Sequence, residues 1–301
     1  MNYNLITILG PTAVGKTRLA VKLAYHFNGE IISADSRQVY KSMDIGTGKD
    51  LSDYIMEGEK IPYHLIDVIE PTEEFNLFLF NQMFYDAYHK ITSKKKIPFL
   101  TGGTGLYLHS ILKGYLLEKV NMENAQYDEL SKLSIEELTS KLKMLNPNLH
   151  NTTDLKIKDR VIKAIIIAQN KNKTEKSVKK KINSLTIGVK LDREKLKERI
   201  TERLKHRLNS GMVEEVKNLL ANGISYDKLI FFGLEYRYIA QYLKGELNYN
   251  DMFQKLNSAI HNFAKRQMTW FRKMEREGIK IHWIEGPNFE LAKKIIEENY
   301  S

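Results

Sequence analysis

The chain has 301 residues, 42% of them hydrophobic, with no cysteine and a formal net charge of +10. This length and apolar share support one large core or two modest ones, and the missing cysteine excludes a disulfide framework and any thiolate metal site. No stretch approaches the ~20 apolar residues of a membrane span, and no charged N-terminal segment leads into an apolar run and a cleavage site. The expectation is a soluble, cytoplasmic monomer with no membrane partner.

Short apolar runs recur along the chain, each closed by turn residues: 4–10 (NLITILG), 30–36 (EIISADS), 63–69 (YHLIDVI), 97–103 (IPFLTGG), 185–192 (LTIGVKLD) and 279–286 (IKIHWIEG). Segments of helical period lie between several of them, at 17–27 and 76–94. This alternation predicts an α/β fold with a parallel sheet covered on both faces. Ligands in such sheets bind beyond the carboxyl ends of the strands, so Gly10, Asp35, Asp67 and Gly102 are expected along one edge. From about 114 to 184 the pattern changes to short helices rich in Leu, Lys and Asn. The expectation is a helical insertion, 114–184, in a core made of 1–113 and 185–301. Residues 151–181 hold ten Lys or Arg and three Asp or Glu, a net +7. That is a footprint for a polyanion or, more plainly, a solvated helical face. The lysine-rich stretch 170–181 reads as an exposed connection.

Gly10-Pro11-Thr12-Ala13-Val14-Gly15-Lys16-Thr17 fits G-x-x-x-x-G-K-[ST] and stands between a predicted strand and a predicted helix, the context that makes this motif a phosphate-binding P-loop. Backbone N–H groups and the helix N-terminus would cradle phosphate oxygens. Lys16 would neutralise them and Thr17 would hold Mg²⁺. An ATP-dependent phosphoryl transferase of this class needs an acidic residue at a core strand end. The strand at 97–101 instead ends in Thr and Gly. Asp35 closes the second strand and faces the cradle, where it serves the chemistry or merely caps the next turn or assists Mg²⁺. Ser36, Arg37 and Gln38 form a polar run able to read a base edge or a sugar. Thr104, in the glycine turn 101–105, is a candidate hydroxyl at the reacting centre. In the helical stretch 261–277, Phe263, Gln267, Phe271 and Met274 form a core stripe. His261, Lys265, Met268 and Arg272 form a second stripe suited to an anionic site or an RNA approach.

Together the stretches GPTAVGKT, ADSRQVYKSMDIGTGK, YHLIDV, PFLTGGTGLYL, HNTTDLKIKDRVIKA and AKRQMTWFRK resemble the tRNA dimethylallyltransferase family, in the family's order and over nearly the whole chain. The resemblance implies a P-loop NTPase-like core that takes dimethylallyl diphosphate as donor. It implies transfer of the dimethylallyl group to N6 of adenosine 37, in the anticodon loop of tRNAs reading codons that start with U, with release of pyrophosphate. By the same resemblance residues 10–17 hold the diphosphate, Asp35 is the general base, and Lys16 and Thr104 serve at the reacting centre. Asp35, Ser36, Arg37 and Gln38, with Asp159, Arg160, Val161, Ile162 and Lys163, contact tRNA. The chain departs from the family pattern where MDIGTAKP reads MDIGTGKD, where RALE reads KAII, and where an arginine is missing before Gly233. Arg237 is the expected replacement for that arginine. The rival readings are a small-molecule P-loop kinase, a prenyltransferase acting on free adenine nucleotides, and a non-catalytic RNA-binding protein with a vestigial P-loop.

Overall fold

The computed structural model describes residues 3–115, 117, 124–145, 155, 158–170 and 181–300. The chain divides into two compact units, Met1–Tyr115 with Lys181–Ser301, and Leu116–Lys180.

The larger unit is built on a six-stranded sheet of β1 (Leu5–Leu9), β2 (Gly29–Ala34), β5 (Tyr63–His64), β6 (Ile97–Gly102), β7 (Ser184–Lys190) and β8 (Ile281–Glu285). All its pairings are parallel, in the order β5-β2-β6-β1-β7-β8. Strand β1 shows why the sheet is covered on both sides. Ile6 and Ile8 pack into one core with Leu19 and Leu23 of α1 (Lys16–His26). Leu5 and Leu9 pack into another with Phe80 and Phe84 of α2 (Leu77–Ser93), Leu108 of α3 (Gly105–Leu112) and Phe271. A strand buried on both faces carries no polar alternation, which is the pattern of LITIL. Truncating such a residue to alanine costs about 2–5 kcal/mol.

The strand at 63–69 is shorter than expected: only Tyr63 and His64 join the sheet, with an isolated bridge between Tyr40 and Ile69. An antiparallel hairpin of β3 (Ile55–Met56) and β4 (Glu59–Lys60), with no counterpart in the sequence reading, precedes it. After β7 come α7 (Arg193–Asn209), α8 (Met212–Ala221), α9 (Tyr226–Phe232), α10 (Leu234–Leu243), α11 (Tyr249–Arg276) and, after β8, α12 (Phe289–Asn299). Helices α7 to α11 enclose a third core around Leu204, Val216, Tyr236 and Leu256.

The smaller unit contains α4 (Asn124–Ser131), α5 (Ile135–Leu145) and α6 (Lys158–Asn170). Its core is Leu130, Leu138, Leu142, Val161, Ile162, Ile165 and Ile166. This corrects one expectation. Val161 and Ile162, read as tRNA contacts, are each 1% exposed, because they fall on the apolar side of α6 that closes this small core. The stretch 171–180 lies outside the described residues. Among the described residues, no helix is long and apolar enough to cross a membrane.

Candidate active site

Because every sheet strand runs parallel, the carboxyl ends of β1, β2 and β6 share one edge, and Gly10, Asp35 and Gly102 follow or end those strands. A cleft of about 860 Å³ opens beyond them, with Thr12, Asp35, Ser36 and Thr104 on its floor and residues of α7, α9, α10 and α11 on its walls.

The P-loop ends at Gly15, whose φ of +86° caps α1 without any side-chain hydrogen bond. Ala13 also sits in the left-handed region, at φ +65°. Helix α1 has no acidic residue in its first turn, so its N-terminal N–H groups keep their attraction for an anion. Lys16 Nζ donates to Pro11 O at 3.2 Å. Burial and the neighbouring guanidiniums, opposed by the Asp35 carboxylate, hold its pKa down at about 8. Thr17 Oγ1 has no hydrogen-bond partner among the described residues. The same residues contain no group of three or more His, Cys, Asp or Glu able to hold a metal. A single hydroxyl therefore suits Mg²⁺ only in company with phosphate oxygens and water, the usual P-loop arrangement.

Asp35 follows β2. Its Oδ1 accepts from Arg37 N at 2.9 Å and Gln38 N at 3.3 Å, while Oδ2 takes no hydrogen bond among the described residues. One Asp35 oxygen thus caps the turn, while the other is left without a hydrogen-bond partner among the described residues. Thr104 caps α3, its N–H donating to Ala34 O and its Oγ1 accepting from Ser36 N at 3.1 Å. Thr104 and Asp35 are therefore held together.

The rest of the polar run is committed elsewhere. Gln38 Nε2 donates to Thr47 O and Gly48 O, and Ser33 Oγ donates to its Oε1, so its side chain secures a loop and is not free to read a base. Arg37 Nη2 donates to Phe231 O, with the guanidinium over the rings of Phe231 and Phe232. In the smaller unit, Asp159 accepts from Tyr127 Oη at 2.7 Å and pairs with Lys163 at 2.9 Å. The side chain of Arg160 lies outside the described residues.

Arg237 makes no hydrogen bond to the P-loop among the described residues. It is exposed on the cleft wall, and its Nε donates to Ile230 O at 3.4 Å. The guanidinium at the cradle belongs to Arg203 of α7, whose Nη2 donates to Thr12 Oγ1. Arg207 stands one turn later on the same helix. Both were readable as arginines at i and i+4 in the helix after β7, but no local motif marks them.

Two further residues shape the site. Gln267 of α11, expected as core filling, is 5% exposed. Its Oε1 accepts from Thr12 N at 2.8 Å and its Nε2 donates to Gly103 O at 2.9 Å, tying the P-loop to the glycine turn. Gly103 permits this closeness, since a Cβ there would lie 2.2 Å from Gln267 Nε2. Glu215 of α8 accepts from the backbone N–H groups of Asp44, Ile45 and Gly46 and from Tyr236 Oη, fixing the loop before Gly48. Phe263 is half-buried on the cleft wall beside Arg266, while Lys265 and Arg272 of the second stripe are exposed.

The kinase alternative needs a strand-end carboxylate. Thr101 stands at the end of β6 and donates its hydroxyl to Ile8 O. Asp67 is held by Lys49. Among the described residues, the carboxylates lining the cleft are Asp35 and Glu235, against six Lys or Arg.

The fold and site define a P-loop α/β protein whose anion cradle faces a single strand-end carboxylate across a basic cleft. A family model described as IPP transferase matches residues 38–274, and one described as isopentenyl transferase matches residues 3–66. The chain belongs to this family, the tRNA dimethylallyltransferases. It is 54% identical to tRNA dimethylallyltransferase 1 of Geotalea daltonii over 98% of this chain and 95% of the relative. It is 52% identical to tRNA dimethylallyltransferase 1 of Geotalea uraniireducens over 99% of both. The crystal structure of the full-length tRNA isopentenylpyrophosphate transferase of Bacillus halodurans superposes with a TM-score of 0.69 at 31% identity, covering 99% of this chain and 94% of that one. A eukaryotic dimethylallyltransferase acting on tRNA shares the fold, with a TM-score of 0.79 at 22% identity over 100% of this chain and 81% of that one.

Proposed function

We propose that this protein transfers a dimethylallyl group from dimethylallyl diphosphate to N6 of adenosine 37 in the anticodon loop of tRNAs reading codons that start with U. The observation that carries this reading is the juxtaposition of a P-loop with Asp35 in one basic cleft that offers no second strand-end carboxylate.

The exocyclic amine of adenine is a poor nucleophile because its lone pair is delocalised into the ring. Asp35, with Oδ1 anchored by two amides, keeps Oδ2 to take a proton from N6 as the N6–C1 bond forms. The C1–O bond breaks in the same step and its electron pair leaves on diphosphate. P-loop amides, Lys16 and Arg203 stabilise that growing negative charge. Thr104 positions the turn that carries Asp35. Thr17 would hold Mg²⁺, which would supply further charge neutralisation on the leaving diphosphate. The target base must leave its stack to enter the cleft.

Incubating the protein with tRNA, dimethylallyl diphosphate and Mg²⁺, then digesting the tRNA for mass spectrometry, tests the reading. A C5 mass gain on adenosine supports it. ATP consumption without that gain returns the kinase, and a gain on free adenine nucleotides alone redirects the acceptor.

A further inference from the structure

Arg207 of α7 is 8% exposed and lines the cleft. Its guanidinium makes no hydrogen bond among the described residues. The closest carboxylate is Glu235 Oε1, 3.8 Å from Nη1, too long for a hydrogen bond. A guanidinium has five N–H donors, and those of Arg207 meet solvent in the cleft, so they are open to an acceptor that arrives with a ligand.

Gly48 explains how it gets there. The residue lies in the loop held by Glu215 and Gln38, with φ +67°, and a Cβ built on it would stand 1.6 Å from Arg207 Nη2 and 2.7 Å from Cζ. The guanidinium therefore occupies the volume that any side chain at position 48 would fill. The chain has glycine at 48 and no arginine between Arg207 and Gly233.

We propose that Arg207, admitted to the cleft by Gly48, is a second guanidinium ligand beside Arg203 for a phosphate oxyanion of the donor diphosphate. Arg203 and Arg207 are four residues apart on one helix, so both point from the same side of α7. Lys16, Arg203 and Arg207 act on one another electrostatically, each guanidinium disfavouring charge on the lysine. An anion among the three removes that repulsion, and planar guanidinium forks match phosphate oxygens. Glu235, half-buried and with its carboxyl pushed above the usual range by desolvation, steadies Arg207 without consuming its donors.

The inference rests on the transferase reading for the identity of the donor, but calorimetry with inorganic diphosphate tests it separately. Arg207→Ala weakens diphosphate binding and raises the donor KM by about 10-fold to 100-fold, the effect of a lost charge-assisted hydrogen bond. The KM for tRNA stays unchanged. Gly48→Ala, by displacing the guanidinium, produces the same loss, as does Gly48→Asn, which tolerates positive φ but carries the same Cβ. The double variant Gly48→Ala/Arg207→Ala loses no more than Arg207→Ala. Diphosphate affinity unchanged in Arg207→Ala overturns the proposal. So do additive losses in the double variant, and so does a raised KM for tRNA with an unchanged donor KM, which would assign Arg207 to an RNA phosphate. Loss of prenyl transfer by the wild-type protein with diphosphate binding intact would instead sink the transferase reading.

Discussion

Lys16 should destabilise the ligand-free protein that it equips to bind diphosphate. Lys16→Met keeps the length of the side chain and removes its charge. Burial and the guanidiniums of Arg203 and Arg207 lower the lysine from 10.5 to about 8, a penalty of about 3 kcal/mol on the charged form in the folded state. The hydrogen bond to Pro11 O offsets about 1 kcal/mol. About 2 kcal/mol remains, so the variant gains about 4–8 °C in Tm at pH 7, given ~2–4 °C per kcal/mol for a domain of this size. The sign with pH follows from proton counts. Below about pH 8 the lysine is charged in both states and the full penalty applies. Between about 8 and 10.5 the unfolded chain keeps a proton that the folded protein has lost, so wild-type stability rises with pH and the gap to the variant closes. Denaturation of both proteins without ligand, at pH 7 and at pH 10, reads this directly. Calorimetry should show diphosphate binding lost in the variant. A variant no more stable than wild type at pH 7, or a gap that does not shrink with pH, would refute the reasoning.

Asp35→Asn keeps the oxygen that caps the turn, so stability and both KM values change little while kcat falls by roughly 10²–10⁴; a rate restored by excess Mg²⁺ would reassign Asp35 to the metal. Arg203→Ala should raise the donor KM by about tenfold or more, whereas Arg237→Ala, whose guanidinium turns to Ile230 O, should leave it nearly unchanged, and the reverse order in steady-state kinetics would restore Arg237 to the diphosphate. Gln267→Leu strands the part-buried N–H of Thr12 and the buried carbonyl of Gly103, costing about 1–3 kcal/mol, read as a lower midpoint in urea with an unchanged m-value.

What the sequence determined by itself is local. A P-loop is one contiguous turn between a strand and a helix, so Gly10–Thr17 declared itself without reference to anything distant. Strand β1 likewise announced burial on both faces through five apolar or β-branched residues in a row. Asp35 and Thr104 were placeable because parallel strands bring their carboxyl ends to one edge, whatever the details of packing. The distant partners were decided only by the tertiary structure. Arg203 and Arg207 look like any arginines on a charged helix until α7 packs over the cradle, and Arg237, nearer in the chain to the expected motif, donates to Ile230 O instead. Gln267 sits in an apolar stripe, and only the contact of α11 with both glycine-rich turns shows that its amide joins them. Val161 and Ile162 lie within a segment that resembles a tRNA contact, yet their side chains close a small core. Side-chain direction depends on which surfaces a helix must bury, and no local pattern encodes the other surface.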